Sequence, residues 1–519
     1  MPYPLDDLPF TMDRKDLRSR LTRSVVALAG GAAAVAGSYA AVGGSPAFVA
    51  APIANATVTL APGILVTLAI TLLGDLGSKL AYVSGLGLTA VALGLVVGAA
   101  RVVAVQVDRP LLGPVGGSVA VGLAAAALSG SAASAIGAAV GAALVATVVG
   151  LGTAPSDESA PDSRRTVLAG LAALSVGTFA VGSRRVFATD TTDETERAPV
   201  PDDVAATLDD ARSKSLAVEG LEPLVSDHFY TVDIANVDPH PAREDWSLRI
   251  HGAVGQETTY SFDDIDAMDH EHRFETLRCV GETLNGRKLD TALWTVVPLM
   301  DLLDPADLQG DSVMLRAADG FYEEFPVDAL ETGFLAVGMN GRPLPREHGA
   351  PARALIPGHW GEINVKWLTE IEILDEPATG YWEKRGWHGT GPVNTVAKLW
   401  AENHLDSEER RSSGSRPEAA DDGRIEVAGP AYAGTRGIER VEVSTDGGET
   451  WHDADLSDPL PDDDVWRQWA YRYDPPDGKH EVVVRATDGL GTLQPREEQR
   501  AYPSGPSGWV SRTITPGSL

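Results

Sequence analysis

Hydropathy divides the chain into two unequal parts. Residues 24–185 are rich in Ala, Gly, Val and Leu and carry few charges. Within them, apolar runs at about 24–43, 80–100, 112–128, 132–152 and 166–182 match the roughly 17–25 residues a helix needs to cross a bilayer. The stretch from Pro46 to Leu73 is interrupted by Pro52, Asn55, Thr57, Thr59 and Pro62, and its clean apolar run is short. A re-entrant or interfacial segment fits it better than a crossing. Residues 1–189 are therefore expected to be an anchor of transmembrane helices, with five spans and that extra segment.

Beyond the apolar part the pattern changes twice. Residues 190–220 are polar and acidic and predict a linker, as do 405–423. Between them, 221–404 mixes strand-like runs (246–252, 312–320, 352–358, 366–374) with apolar residues at helical spacing over 291–304. That mixture predicts an α+β domain. From 424 to 519 the alternation is of strand type, broken by turns such as Asp446-Gly447-Gly448, a strong hairpin signal. Strands at that spacing predict an immunoglobulin-like β-sandwich.

Charge adds habitat and topology. Asp and Glu number 73 against 42 Lys and Arg, a formal net charge of −31, and only eight of the cations are lysines. Such a surface stays hydrated where salt screens its repulsion, as in a halophilic protein, and it excludes nucleic acid as a partner. Arg14, Lys15, Arg18, Arg20 and Arg23 precede the first apolar run and predict a cytoplasmic N-terminus. Five spans then carry the C-terminal part to the outer face of the cell membrane. The run Ser163-Arg164-Arg165-Thr166-Val167-Leu168 before the last span is similar to a twin-arginine export signal, with a plain positive cap as the alternative.

Two residue counts restrict the chemistry. The single cysteine, Cys279, rules out an internal disulfide, a CxxC pair and covalent c-type haem. All eleven histidines lie at or after His228, so no His pair in the apolar part can hold a haem, and none is expected.

Three blocks occur in order: FETLRCVGETLNG (274–286), MNGRPLPREHGAPARALIPGHWGEINVKWLTEIEI (339–373) and YWEKRGW (381–387). Together they resemble the molybdopterin domain of the sulfite oxidase family, and 424–516 resembles that family's C-terminal dimerisation domain. The resemblance implies a molybdenum–molybdopterin cofactor with Cys279 as the protein ligand to the metal. A soft thiolate suits a metal that changes oxidation state. It further implies that His348, Arg353, Asn364, Val365 and Lys366 contact the cofactor, and less directly Asp319 and the Phe229-Tyr230-Thr231 run.

Departures from the family bear on substrate. Sulfite oxidases follow the ligand cysteine with AGNRR, whereas here Val280-Gly281-Glu282-Thr283-Leu284-Asn285 follows. The family's second substrate arginine is replaced near Val232. Arg287 or Lys288 could substitute if the loop folds back. The implied activity is two-electron oxygen-atom transfer on a small oxyanion or an S- or N-oxide, with electrons exchanged with a separate carrier. Sulfite oxidation proper is one alternative. Another is a non-catalytic, membrane-anchored binding protein with a degenerate cofactor domain. The dimerisation domain implies a homodimer.

Overall fold

The computed structural model describes residues 14–62, 75–108, 112–152, 198–404 and 424–516. They form two compact units, one from the N-terminal region up to Thr191 together with Ile234–Pro239, the other from most of the remainder.

In the first unit the described residues form five helices: α1 (Arg14–Val42), α2 (Ala51–Thr59), α3 (Asp75–Gln106), α4 (Leu112–Ser129) and α5 (Ala132–Gly152). Their packing explains the Gly/Ala-rich composition. A Cβ at Gly31 would run into the Ala90 carbonyl of α3, and one at Gly37 into the Gly137 carbonyl of α5. Backbones approach this closely only where side chains are minimal, which is how helices associate when lipid removes the hydrophobic drive between them. Ser38 and Ser134 add an interhelical hydroxyl contact of 2.7 Å. Many large side chains point outward, with Leu95 69% exposed and Leu123 67%, while Phe48, Leu93 and Val121 are buried. Among the described residues, Ser24–Val42 and Lys79–Gln106 are long and apolar enough to cross a membrane; the apolar stretches of α4 and α5 are shorter.

Helix α2, at nine residues, spans only about 14 Å and cannot cross. Residues 63–74, the expected fifth span at 166–182 and the Ser163–Leu168 run lie outside the described residues. Residues 234–239 belong to the first unit through a backbone clasp. The Asn55 side-chain oxygen accepts from the N–H groups of Asn236 (2.9 Å) and Val237 (3.2 Å), and the Asn236 amide donates to Ala54 O (2.6 Å).

The second unit opens with α6 (Asp202–Ser213), inside the stretch expected to be an acidic linker. That expectation is corrected for residues 202–213. Val204, Leu208 and Ala211 recur at helical spacing and are buried against Leu224, Phe274 and Trp466. The acidic residues on the other face hid this narrow apolar stripe.

Two five-stranded sheets follow. The first has the order β2 (Thr258–Ser261), β1 (Ser247–Gly252), β10 (Leu368–Leu374), β5 (Ser312–Ala317), β6 (Tyr322–Pro326), with β1 and β10 parallel and the other pairs antiparallel. The second is antiparallel: β3 (Glu271–Arg278), β4 (Leu289–Pro298), β7 (Phe334–Met339), β8 (Arg342–Pro343), with β9 (Arg353–Leu355) also on β7. Two short helices, α7 (Phe262–Asp266) and α8 (Leu299–Leu303), pack on the shared core.

The helix expected over 291–304 is a second correction. Residues 291–298 complete strand β4, and only 299–303 are helical. β4 lies between β3 and β7 with both faces covered, so it has no polar alternation to read. Its Thr and Val residues favour the strand.

The C-terminal residues form two antiparallel sheets. One is built on β11 (Val396–Ala397), β12 (Ala401–His404), β13 (Ile425–Tyr432), β16 (Asp455–Leu456) and β17 (Arg467–Tyr473). The other contains β14 (Ile438–Ser444), β15 (His452–Asp453), β18 (His480–Asp488) and β19 (Val510–Ile514). Val427, Val441, Trp469, Val482 and Val484 share one core between them. The hairpin signal at 446–448 marks the β14–β15 turn, where Gly447 (φ +75) and Gly448 (φ +96) take the left-handed region and Asp446 accepts the N–H of Thr450 at 2.9 Å.

If α6 is part of the core, Leu208→Ala lowers stability by about 2–5 kcal/mol. Chemical denaturation checks this, and a linker residue would leave the midpoint unmoved.

Candidate functional site

Strand β3 ends at Arg278 and delivers Cys279 to the start of the 279–288 loop. The Cys279 N–H donates to Lys288 O at 3.0 Å, closing the loop as the turn between β3 and β4. Glu282 fastens it from inside. Its carboxylate accepts from Arg278 Nε (2.9 Å), Lys398 Nζ (2.5 Å) and the Lys288 N–H (3.1 Å). Arg278 and Lys398 are both fully buried, and Lys398 also donates to Gly286 O at 2.9 Å. Burial pulls the Lys398 ammonium down to about 8, against the attraction of Glu282.

Cys279 itself is half-buried. Burial pushes its thiol up, with Lys288 pulling the other way. A free thiol there is neutral, and coordination to a metal cation reverses that balance.

Tyr230 sits over the same loop. Its N–H donates to Asp290 on β4 at 2.8 Å, and its ring stacks on Phe229 with centroids 5.5 Å apart. Burial raises its phenol, helped by Cys279 and opposed by Arg353. Thr231, next in the chain, is exposed.

Arg353 is the site's uncompensated charge. It is 4% exposed, donates to His348 O (3.2 Å) and Asn364 O (2.8 Å), and its Nε has no partner among the described residues. Burial draws it down to about 10, with no carboxylate opposing. His348, packed edge-on to Phe229, is held neutral: burial, then Arg353 and Lys366, push it down to about 3.

Lys366 closes the far end. Its ammonium donates to Asp233 (2.7 Å) and Glu347 O (2.9 Å). The following residue, Trp367, is fully buried at φ +50, a conformation a bulky side chain adopts only under local constraint. Asp319, in the turn between β5 and β6, accepts the Phe321 N–H at 2.8 Å. It is raised to about 6, mainly by burial, with Asp233 adding and Lys366 subtracting.

Cys279, Tyr230, Arg353, His348, Lys366 and Asp319 form a chain of electrostatic neighbours: Tyr230 feels Cys279 and Arg353, His348 feels Arg353 and Lys366, and Asp319 feels Lys366. Asn364 and Val365 are used otherwise. The Asn364 side chain accepts from Ile356 N (2.7 Å) and donates to Trp360 O (3.1 Å), while Val365 is buried in the core with its N–H and carbonyl both bonded to backbone. The Asn364 carbonyl also accepts from Arg353. Arg287, one of two candidate substitutes for the missing substrate arginine, lies over Trp400 and donates to Trp400 O at 3.2 Å. Lys288, the other, exerts its charge on Cys279.

Sequence reasoning missed Glu282, Lys398, Asp290 and Asp233. The one available signal was a lysine inside the apolar run Val396-Ala397-Lys398-Leu399-Trp400, since a charge there must be paired.

The residues fit a molybdopterin cofactor. A buried guanidinium lacking a counter-charge and a partner for Nε suits an anion, and Cys279, which shares Tyr230 as a neighbour with it, can supply a thiolate.

Comparison with known proteins agrees. Residues 234–382 match the oxidoreductase molybdopterin binding domain, and 411–504 the Mo-co oxidoreductase dimerisation domain. The chain is 28% identical over 314 residues to mitochondrial sulfite oxidase of Mus musculus, covering 51% of this chain and 56% of that one. It is 29% identical over 171 residues to the uncharacterized oxidoreductase YuiH of Bacillus subtilis, covering 32% and 84%. The sulfane dehydrogenase SoxCD of Paracoccus pantotrophus aligns with a TM-score of 0.45 and 19% identity over 63% of this chain and 92% of that one. The chain thus spans little more than half the length of the sulfite oxidase it matches. Residues 234–382 and 411–504 thus carry the two domains of a sulfite oxidase-like, molybdopterin-dependent oxidoreductase.

Proposed function

We propose that the protein is a membrane-anchored molybdenum oxidoreductase that transfers an oxygen atom, with two electrons, to or from a small oxyanion or an S- or N-oxide. The observation that carries this reading is the buried Arg353, with no carboxylate opposing its charge, which shares Tyr230 as a neighbour with Cys279. In it, Cys279 is the ligand to molybdenum, Arg353 and Lys366 meet the anionic part of the pterin, and neutral His348 offers a hydrogen bond. Asp319, Tyr230 and Thr231 are assigned to the border of the cofactor site, as is Val365, with Asn364 holding Arg353 through its carbonyl. Bound there, the cofactor supplies the two-electron chemistry. Lys288 puts a positive charge beside Cys279 where the family's substrate arginine is missing, which supports an anionic substrate. Sulfite oxidation proper is the second reading, favoured by the sulfite oxidases among the relatives.

In this reading the first unit lies in lipid, which its exposed Leu and Val faces support, since water would penalise them. The five spans, the outer-face position of the second unit and the twin-arginine signal rest on the charge pattern of the sequence. The C-terminal sheets are an immunoglobulin-like sandwich that pairs two copies, supported by the match at 411–504. Electrons pass to or from a separate carrier.

The test is molybdenum and pterin content of the full chain, purified at high salt, beside Cys279→Ala, followed by turnover with sulfite and with S- and N-oxides. Near-equimolar metal in the wild type, with activity abolished in the variant, is expected; a folded wild type without molybdenum or pterin under loading conditions overturns the reading. Arg353→Gln is expected to weaken cofactor retention by about 2–5 kcal/mol, the cost of losing one member of a buried charge contact. Pterin release under mild denaturant measures it.

A pH dependence follows from Asp290, which burial raises from 3.8 to about 7. Between those values the folded state keeps a proton that the unfolded state has lost. Its contribution is therefore fully present below the ordinary value and fades as pH rises through neutrality. Thermal melts of cofactor-free protein from pH 5 to 8 should show a shallower decline for Asp290→Asn than for wild type.

A further inference from the structure

Close to Cys279, whose thiol feels the charge of Glu362, three carboxylates from separate parts of the chain converge. Glu323 comes from β6, Glu362 from the turn Gly361–Ile363, and Glu383 from the turn Glu383–Arg385. Each offers an oxygen within 4.8 Å of the others. Glu323 is fully buried and Glu362 only 8% exposed. Trp382 N and Glu324 N each donate to Glu323 at 3.2 Å. Glu362 is the telling residue, because neither of its oxygens has a hydrogen-bond partner among the described residues, whereas Glu383 lies close enough to Glu323 to share a proton with it. A nine-tenths buried carboxylate with both oxygens unmet is costly unless something absent from the protein meets it.

The surroundings are cut to admit these groups. A Cβ at Gly380 would collide with oxygens of Glu323 and Glu383, and one at Gly389 with Glu362 Oε2. Two glycines thus leave the space in which the carboxylates meet.

We propose that Glu323, Glu362 and Glu383 form a binding site for a hard divalent cation of the calcium or magnesium class. Oxygen donors less than 4.8 Å apart fit around one ion at the roughly 2.0–2.6 Å distances these cations take. The set contains no nitrogen or sulfur, which argues against zinc or copper. Without a cation the charges are relieved by protons: burial raises Glu323 to about 11 and Glu362 to about 8, with neighbouring carboxylates adding to both. The cation displaces these protons, so affinity rises with pH. Its structural effect is to tie β6 to the two turns.

The test uses the full-length, molybdenum-loaded protein in metal-free buffer at 1 M or more NaCl, where the acidic surface is screened. Divalent metals are quantified by mass spectrometry. Terbium is titrated as a luminescent calcium probe sensitised by the neighbouring Trp382. We expect one tightly held divalent ion per chain, a melting temperature lowered by chelator and restored by calcium, and tighter terbium binding at pH 8 than at pH 6. Glu362→Gln and Glu383→Gln are each expected to weaken terbium binding at least about tenfold while molybdenum content stays. A molybdenum-loaded wild type with no divalent ion, no terbium signal at pH 8 and no response to calcium overturns the proposal and leaves protons as the neutralising agent. Unchanged terbium affinity in both variants overturns it equally.

Discussion

Glu282 carries its charge where only 4% of its surface meets solvent, and the geometry around Cys279 depends on how that charge is met. An isolated carboxylate there would cost several kcal/mol. Arg278, Lys398 and the Lys288 N–H surround it, so the carboxylate binds the end of β3, the tip of the loop and the segment before β12 in one place. The arrangement is intolerant because it is charged: removing one partner strands the others in a low-dielectric interior, at about 3–5 kcal/mol. A loop so fastened restrains Cys279, and the metal-ligand role proposed for it calls for that rigidity.

The same strand is held from the other side by the C-terminal residues. The Thr276 N–H donates to Asp464 O at 2.9 Å, and the Tyr432 hydroxyl bridges Thr276 O (3.0 Å) and Asp464 (2.6 Å). Asp462 accepts the Phe274 N–H at 2.8 Å, and Trp466 donates to Leu224 O at 2.8 Å. Gly358 N donates to Asp464 at 2.7 Å, linking the segment after Arg353 to the same loop. The C-terminal sheets thus help position both Cys279 and Arg353. This gives a physical reason for the two matched domains to occur in one chain, independent of any role in pairing copies.

The sequence carried the site more legibly than the secondary structure. Cys279, His348, Arg353 and Lys366 stand in contiguous motifs, and motif position survives errors in helix and strand assignment. Two of those errors share a cause. β4 is covered on both faces and α6 is acidic on all but a thin stripe, so neither shows the amphipathic period that pattern reading depends on. Asn364 and Val365 illustrate a different limit. Motif position marks a residue as belonging to a site without saying whether its side chain faces the ligand or holds a neighbour that does. Only the bonds from Asn364 to Ile356 and Trp360 distinguish the two. Glu282 and Lys398 are 116 residues apart, and their pairing is a property of the fold alone.

Charge placement reconciles a protein of net charge −31 with a cofactor and a proposed substrate that are both anionic. At long range the acidic surface repels such molecules. In about 1 M salt the screening length falls to about 3 Å, so repulsion from solvated carboxylates reaches hardly beyond the surface. Buried cations lie where mobile ions do not penetrate, and their attraction persists. Of the chain's eight lysines, Lys288 acts on Cys279, Lys366 is paired with Asp233 and the buried Lys398 with Glu282, whereas the buried Arg353 has no carboxylate opposing it. Salt thus separates the two fields, weakening the one that excludes anions and sparing the one that captures them.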